Sequence, residues 1–85
     1  MKYFVYILQS DKDKQFYVGF TTDLKKRLEQ HNHGKAKSTR FRRPLRLVYC
    51  EIGLDLSDAL HREKYLKTSY GKRYIKNRLK NYLKK

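Results

Sequence analysis

The sequence predicts an α+β fold in which a small three-stranded antiparallel sheet is flanked by helices, in the order β-β-α-β-α-α. Two aromatic and β-branched runs lie at the amino terminus, separated by the charged turn "DKDK". A third such run, "LRLVYCEI", follows Pro44. The other apolar residues recur mainly at spacings of three and four, which indicate amphipathic helices.

The first two runs, "KYFVYILQS" and "QFYVGF", predict an antiparallel hairpin. Because side chains alternate between the faces of a strand, Tyr6 is expected to share a face with Phe4 and Leu8. By the same alternation Tyr17 shares a face with Gly19. A glycine inside a strand indicates a bulge or a place where another group approaches the backbone closely.

The stretch "TTDLKKRLEQHNHG" predicts the first helix. Thr22 or Asp23 is a suitable N-cap, Leu24 and Leu28 lie one turn apart, and Gly34 is expected to end the helix. The following "KAKSTRFRRP" predicts a mobile basic loop before the third strand.

After the third strand, Asp55 or Ser57 is expected to cap a helix. On that helix one acid, Glu63, interrupts an apolar stripe made by Leu56, Leu60 and Leu66. Gly71 is expected to break the helix. A last amphipathic helix with a basic outer face is predicted from three apolar residues at strict spacings of four, Ile75, Leu79 and Leu83.

Length and charge bound the function. Eighty-five residues are expected to form one domain, spanning 1–85. The formal charge of +14 indicates a polyanionic partner, with nucleic acid as the leading candidate.

No apolar run approaches the roughly 18 residues of a spanning helix and no signal-peptide core is present, so a cytoplasmic protein without a membrane partner is expected. Cys50 is the only cysteine, which excludes an internal disulfide and a Cys-based zinc site.

Glu63 is the last acid in the chain, and the 22 residues after it contain nine Lys or Arg. It is expected either to pair with Arg27 or Arg62, or to bind a divalent cation such as Mg²⁺, which takes oxygen ligands and often needs only one protein carboxylate beside water and phosphate. Arg27 and His31 are four apart and lie on one side of the first helix. They form either a solvated pair or a cluster aimed at phosphate.

Tyr6 and Tyr17 are not distinguished by periodicity from the other strand tyrosines. However, the ordered set "VYI" (5–7), "YVG" (17–19), Arg27 with His31, and Glu63 in "REKYLK" resembles the GIY-YIG nuclease superfamily over almost the whole chain. The length, the "HNHGKAKSTRFRRPLRLVY" stretch and the "A..RE..LK" pattern look most like its small stand-alone bacterial members, the YhbQ or UPF-type proteins described as UvrC-like.

This resemblance implies a phosphodiesterase that uses Mg²⁺ or Mn²⁺ and acts on DNA. In the family pattern, Tyr6 and Tyr17 come from the paired strands, Arg27 and His31 from the first helix, and Glu63, which holds the metal, from the second. Tyr6 or His31 would accept the proton of the attacking water. The chain departs from the family at Val5, where glycine is usual, at Phe20, where several members have lysine, and at Ile75, where longer members have asparagine.

The expected function is therefore that of a DNA endonuclease that recognises branched, damaged or single-stranded structures rather than a sequence, as in repair or recombination. The alternatives are a basic module that binds DNA or RNA with a weak or vestigial nuclease site, and a ribosome-associated or membrane-surface protein. Phosphate contacts are expected from the basic loop and the carboxy-terminal helix, namely from Lys35, Lys37, Arg40, Arg42, Arg43, Lys72, Arg73 and Lys76.

Overall fold

The sheet consists of three antiparallel strands, and helices cover both of its faces. The structure is a computed structural model that describes residues 1–85. The elements in chain order are β1 (Tyr3–Ser10), β2 (Phe16–Thr21), α1 (Leu24–Asn32), a 3₁₀ turn (Arg40–Arg42), β3 (Leu45–Gly53), α2 (Leu56–Leu66), α3 (Ser69–Arg78) and α4 (Lys80–Leu83). This confirms the predicted fold class and element order, with the short α4 added.

The central strand of the sheet is β1, because the strand order is β2-β1-β3. Tyr6 lies opposite Gly19 on β2 and opposite Cys50 on β3. A register shift occurs between Ile7 and Leu8 in the pairing with β3. As a central strand with both faces covered, β1 buries four consecutive side chains, from Val5 to Leu8.

The two faces of the sheet have separate apolar cores. On one face α2 and α3 pack against β1, and the buried residues are Val5, Ile7, Ala59, Leu66 and Ile75. On the other face α1 packs through Leu24 and Leu28 against Tyr6, Leu8 and Leu45. A site that uses residues from both α1 and α2 must therefore lie at an edge of the sheet, where the two faces meet.

The caps of α1 follow from local sequence. Asp23 is the N-cap, and its side chain accepts a hydrogen bond from the Lys26 N–H at 3.1 Å. Gly34 follows the helix with a φ of +77°, a conformation that favours glycine. The N–H of Lys35 returns to the carbonyl of Gln30 at 2.9 Å, as in a Schellman ending, so the predicted stop at Gly34 is confirmed.

The predicted apolar stripe of α2 is partly wrong. Asp55 caps this helix as expected, but Leu56 and Leu60 are 45% and 44% exposed. The side chains that reach the core are Ala59 and Leu66. Both pack in the apolar core with Val5 and Ile7.

Gly71 does not break the second helix, contrary to the prediction. Helix α2 ends at Leu66, and Thr68 caps α3 by accepting a hydrogen bond from the Gly71 N–H at 3.2 Å. Gly71 is buried inside α3, where it faces the end of α2. The predicted last helix is interrupted at Leu79, after which α4 begins.

The basic segment 35–46 is anchored to the fold, whereas a mobile loop was expected. Ala36 and Thr39 are buried, and the Ser10 hydroxyl donates to the Arg42 carbonyl at 2.6 Å. The Arg42 guanidinium donates to the Asp13 carboxylate at 2.9 Å.

None of the helices combines the length and apolar character needed to cross a lipid bilayer.

Candidate active site

The ring of Tyr6 lies across Gly19, which explains the glycine inside β2. Tyr6 is 1% exposed, and its hydroxyl lies 2.8 Å from Nε2 of His31. A Cβ added at Gly19 would come within 2.3 Å of both Cζ and the hydroxyl oxygen of Tyr6. The close approach that a strand glycine predicted is therefore made by the Tyr6 side chain.

A Gly19→Ala variant is expected to displace the Tyr6 ring and to break its bond to His31. The buried ring has no free space to move into, so we expect a loss of about 1–3 kcal/mol in the free energy of unfolding, measured by urea denaturation. Gly53→Ala is the matched control, since a Cβ there makes only ordinary contacts, the nearest at 3.7 Å. Equal stability of the two variants would contradict this account of Gly19.

His31 connects Tyr6 to the basic segment. The imidazole is fully buried, and its Nδ1 lies 2.6 Å from the Thr39 hydroxyl. The Tyr17 ring packs against its edge, with ring centroids 5.2 Å apart. Burial, and secondarily the charge of Arg27, lowers the pKa of His31 to about 4. The ring is therefore neutral at neutral pH, with one nitrogen able to donate and the other able to accept a proton.

The depressed pKa of His31 predicts a pH-dependent stability. An unfolded histidine titrates near 6.5, so as pH falls from about 6.5 to about 4 the unfolded state binds a proton that the folded state excludes. The free energy of unfolding, measured in urea across this range, is expected to fall with pH. His31→Gln should flatten this part of the profile, whereas the exposed His33, changed to Gln, should not. Identical profiles for His31→Gln and the wild type would refute the prediction.

Arg27 stands beside both tyrosines, one helical turn before His31. Its guanidinium donates to the Gln30 side chain at 3.0 Å. Burial raises the pKa of Tyr6, and the neighbouring Arg27 opposes this rise. Positive charge beside a phenol lowers its pKa. That effect is present, but burial outweighs it, so Tyr6 is a neutral phenol at neutral pH.

Glu63 approaches from α2, on the opposite face of the sheet. It is partly buried, and its charge is the smallest of the contributions that raise the pKa of Tyr6, so the carboxylate lies within electrostatic range of the cluster Tyr6, Tyr17, Arg27 and His31, which is named the candidate cleft. The expected pairing with Arg27 or Arg62 is wrong. Glu63 pairs with Lys67 at 3.3 Å, while Arg62 makes two hydrogen bonds of 2.8 Å to Glu51.

The donor set around Glu63 suits a hard divalent cation bound through a single carboxylate. The structure contains no cluster of three or more His, Cys, Asp or Glu side chains that could bind a metal. Mg²⁺ often uses one or two carboxylates, with water and substrate phosphate completing its shell. Glu63 fits this role, because its only ion-pair partner is a largely exposed lysine that can move away at little cost.

The residues expected to contact nucleic acid fall into two groups on different parts of the fold. Lys35, Lys37, Arg40 and Arg43 are exposed on the segment after α1, but Arg42 is engaged by Asp13. The second group is exposed on α3, which covers the sheet face opposite α1, and consists of Lys72, Arg73 and Lys76.

Two residues of the site were missed from the sequence. Thr39 holds the second nitrogen of His31, and Lys67 neutralises Glu63. The spacing of four between Glu63 and Lys67 was a usable signal for an ion pair on a helix. Nothing in "AKSTRF" marks Thr39, because its contact depends on how the segment folds back over α1.

Comparison with known proteins identifies the family. Residues 2–79 match the family described as the GIY-YIG catalytic domain. The chain that carries this cluster of two strand tyrosines, a helix arginine and a helix histidine therefore belongs to the GIY-YIG nuclease superfamily.

The relatives within this superfamily are UPF0213 proteins. One from Syntrophus aciditrophicus is 47% identical over 68 residues, covering 78% of this chain and 77% of the relative. One from Staphylococcus saprophyticus is 44% identical, covering 79% and 82% of the two chains. The solution NMR structure of a UPF0213 protein from Bacillus halodurans is 36% identical and superposes with a TM-score of 0.57, covering 88% of this chain and 82% of the other.

Proposed function

We propose that this protein is a metal-dependent endonuclease that hydrolyses phosphodiester bonds in DNA. The observation that carries the proposal is the cluster in which Tyr6, Tyr17 and His31 contact one another and Arg27 lies beside both tyrosines, with the charge of Glu63 acting on Tyr6. In the sequence these residues are spread over 58 positions, from 6 to 63. We assign the nuclease activity to a single domain spanning residues 1–85.

Glu63 would hold one Mg²⁺ or Mn²⁺ ion. When bound, such an ion polarises a phosphate oxygen and neutralises the charge that develops as phosphorus becomes five-coordinate. Release of Lys67 from Glu63 would leave its ammonium group free to contact the incoming phosphate. Glu63 would thus exchange its lysine partner for the divalent ion when substrate binds.

Arg27 would contact the phosphate from the side of α1. Its guanidinium does not lose its proton at any ordinary pH, and Tyr6 raises the pKa of Arg27 further. A fixed positive charge in a partly dry cleft stabilises a developing oxyanion more than it would in water. Its role is electrostatic stabilisation of the transition state.

Tyr6 and His31 would move the proton of the attacking water together. A neutral phenol is a poor base, but the Tyr6 hydroxyl can pass its own proton to Nε2 of His31 while it accepts one from water. The neutral His31 has a ring nitrogen available for this transfer. Tyr17, whose ring packs on both partners, would orient water or phosphate at the mouth of the cleft.

The charge distribution favours structure-specific action over sequence-specific action. The excess of cations supports contacts to phosphates, which give salt-dependent affinity without reading bases. Branched, damaged or single-stranded DNA, as found in repair and recombination, is the proposed substrate class.

Digestion of a substrate panel tests the function. Plasmid, flap, branched and single-stranded DNA, with matched RNA, would be incubated with the protein in Mg²⁺, Mn²⁺ or EDTA. We expect cleavage of a structured or single-stranded DNA that requires the divalent ion and stops in EDTA. Tyr6→Phe, which removes only the hydroxyl, should reduce the rate by about 100-fold or more, in line with the 10²–10⁴-fold contribution of acid–base catalysis. Salt-sensitive binding without cleavage in any metal would instead indicate the alternative, a nucleic-acid-binding module with a vestigial site.

A further inference from the structure

Phe41 is an apolar side chain with no packing partner in the core. It is 73% exposed, whereas the other three phenylalanines are partly buried, and Phe16 and Phe20 pack against the apolar core under α2 and α3. A single exposed apolar residue is common on protein surfaces. The surroundings of Phe41 are less ordinary.

The backbone that presents Phe41 is held on several sides. Phe41 is the middle residue of the 3₁₀ turn Arg40–Arg42. Its carbonyl accepts a hydrogen bond from the Lys12 ammonium at 3.2 Å, and the next carbonyl accepts one from Ser10 at 2.6 Å. The Arg42 guanidinium is bonded to Asp13. The ring therefore projects from an anchored turn, so little backbone entropy would be lost if a ligand packed on it.

The segment that carries Phe41 is strongly basic. The guanidinium of Arg40 lies over one face of the Phe41 ring, 4.8 Å from the centroid. Segment 35–46 contains no acid, and four of its cations have no carboxylate partner, namely Lys35, Lys37, Arg40 and Arg43. An exposed aromatic ring on a segment with free cations is a composition that binds a nucleic-acid strand, because the ring stacks on a base while the cations contact phosphates.

The turn is also connected directly to the cleft. Thr39, adjacent to the turn, is fully buried and lies 2.6 Å from Nδ1 of His31, whose other nitrogen contacts Tyr6. Phe41 is only two residues from this anchor. The segment that presents the Phe41 ring is therefore the same segment that contacts His31.

We propose that Phe41 is a binding residue that stacks on an unpaired base of the nucleic-acid strand whose phosphate occupies the cleft. This inference rests on the proposed nuclease function and narrows its substrate class to strands with accessible base faces. In a continuous duplex both faces of each base are covered by its neighbours, so the Phe41 ring has nothing to stack on. Single-stranded, frayed or flapped strands supply that base.

The test measures binding without cleavage. Fluorescence anisotropy in EDTA would give the Kd of wild-type protein and variants for a labelled single-stranded oligonucleotide and for a blunt duplex of equal length at one salt concentration. Phe41→Ala is expected to weaken single-strand binding by about 5- to 150-fold, and duplex binding less than twofold. Phe41→Trp, which keeps a ring, should retain single-strand affinity, and its fluorescence should be quenched by the oligonucleotide.

Two controls separate stacking from other effects. Phe41→Leu keeps apolar bulk without a ring and should behave like Phe41→Ala. Tyr70→Ala removes another aromatic beside an arginine, 66% exposed on α3, and should leave both affinities within twofold of wild type. Since Phe41 is exposed, all its variants are expected to keep the wild-type Tm.

The outcomes distinguish this inference from the function on which it rests. Selective loss of single-strand binding in Phe41→Ala supports the stacking role even if no metal produces cleavage. Equal weakening of both affinities, or no change in either, overturns the role even if the enzyme cleaves DNA. A Phe41-dependent affinity for anionic lipid vesicles, with unchanged single-strand binding, would assign the residue to a membrane surface and also overturn it.

Discussion

A Glu63→Gln variant is expected to lose at least about 100-fold in cleavage rate while remaining folded. In the proposed function Glu63 holds the metal, so its replacement would remove charge stabilisation worth several kcal/mol in the transition state, and each 1.36 kcal/mol corresponds to a factor of ten. The folded state loses only the pair with Lys67, which for a helix pair contributes about 0.3–0.5 kcal/mol. Initial rates on the preferred substrate in Mg²⁺ and in Mn²⁺, beside a thermal melt, measure both effects.

Glu29→Gln is the matched control for this experiment. Glu29 is an exposed acid on α1, so its replacement changes the net charge equally without touching the cleft. Its cleavage rate should stay within about twofold of wild type. Nicking that persists in purified Glu63→Gln at the wild-type rate would show that the activity comes from a contaminant or from another site.

A Gly71→Ala variant is expected to be clearly less stable than the wild type. The added Cβ would lie 2.3 Å from the carbonyl oxygen of Tyr65 and 2.4 Å from Cα of Leu66. Both are backbone atoms, so α2 and α3 must move apart, and the core contacts of Leu66 and Ile75 must loosen with them. Alanine gains about 1 kcal/mol in helix propensity over glycine. Overpacking typically costs 1–3 kcal/mol. Contacts this short with backbone atoms belong at the upper end of that range, about 3 kcal/mol, so a net loss of about 2 kcal/mol is expected.

Urea denaturation measures this loss, and Asn77→Ala provides the comparison. Asn77 is exposed on the same helix, so its change to alanine should leave the free energy of unfolding within about 0.5 kcal/mol of wild type or raise it slightly. A Gly71→Ala protein as stable as Asn77→Ala would mean that helix propensity, not close helix packing, determines the choice of residue at this position.

The strands, the caps of α1 and α2 and the end of α1 could be predicted because they depend on neighbours in the chain. Asp23 and Asp55 bond N–H groups only three residues away, and Gly34 adopts a conformation that most residues avoid. The prediction of a buried leucine stripe on α2 was wrong because leucines at helical spacing occur both in cores and on surfaces. Leu56 and Leu60 suited a buried stripe, but α2 turns Ala59 and Leu66 toward the core instead.

Gly71 shows the same limit more clearly. Glycine lowers helix propensity, so on average it indicates the end of a helix. Here it lies within a helix because the preceding helix passes too close for any side chain. Similarly, Glu51 rather than Glu63 binds Arg62, a choice made by the distance between β3 and α2.

The sequence by itself determined the class of fold, the strong positive charge, the helix caps and, through its ordered motifs, the residues of the candidate site. The fold class, the charge and the caps follow from residue type and spacing along the chain, whereas the site residues follow from the resemblance of the ordered motifs to a known family. Only the tertiary structure decided that Tyr6 lies over Gly19, that His31 is buried between Tyr6 and Thr39, and that Glu63 reaches the cleft from the opposite face of the sheet. These contacts between different elements depend on the rotation of each helix about its axis and on how closely it packs against the sheet. Both are determined by many weak contacts across the whole core.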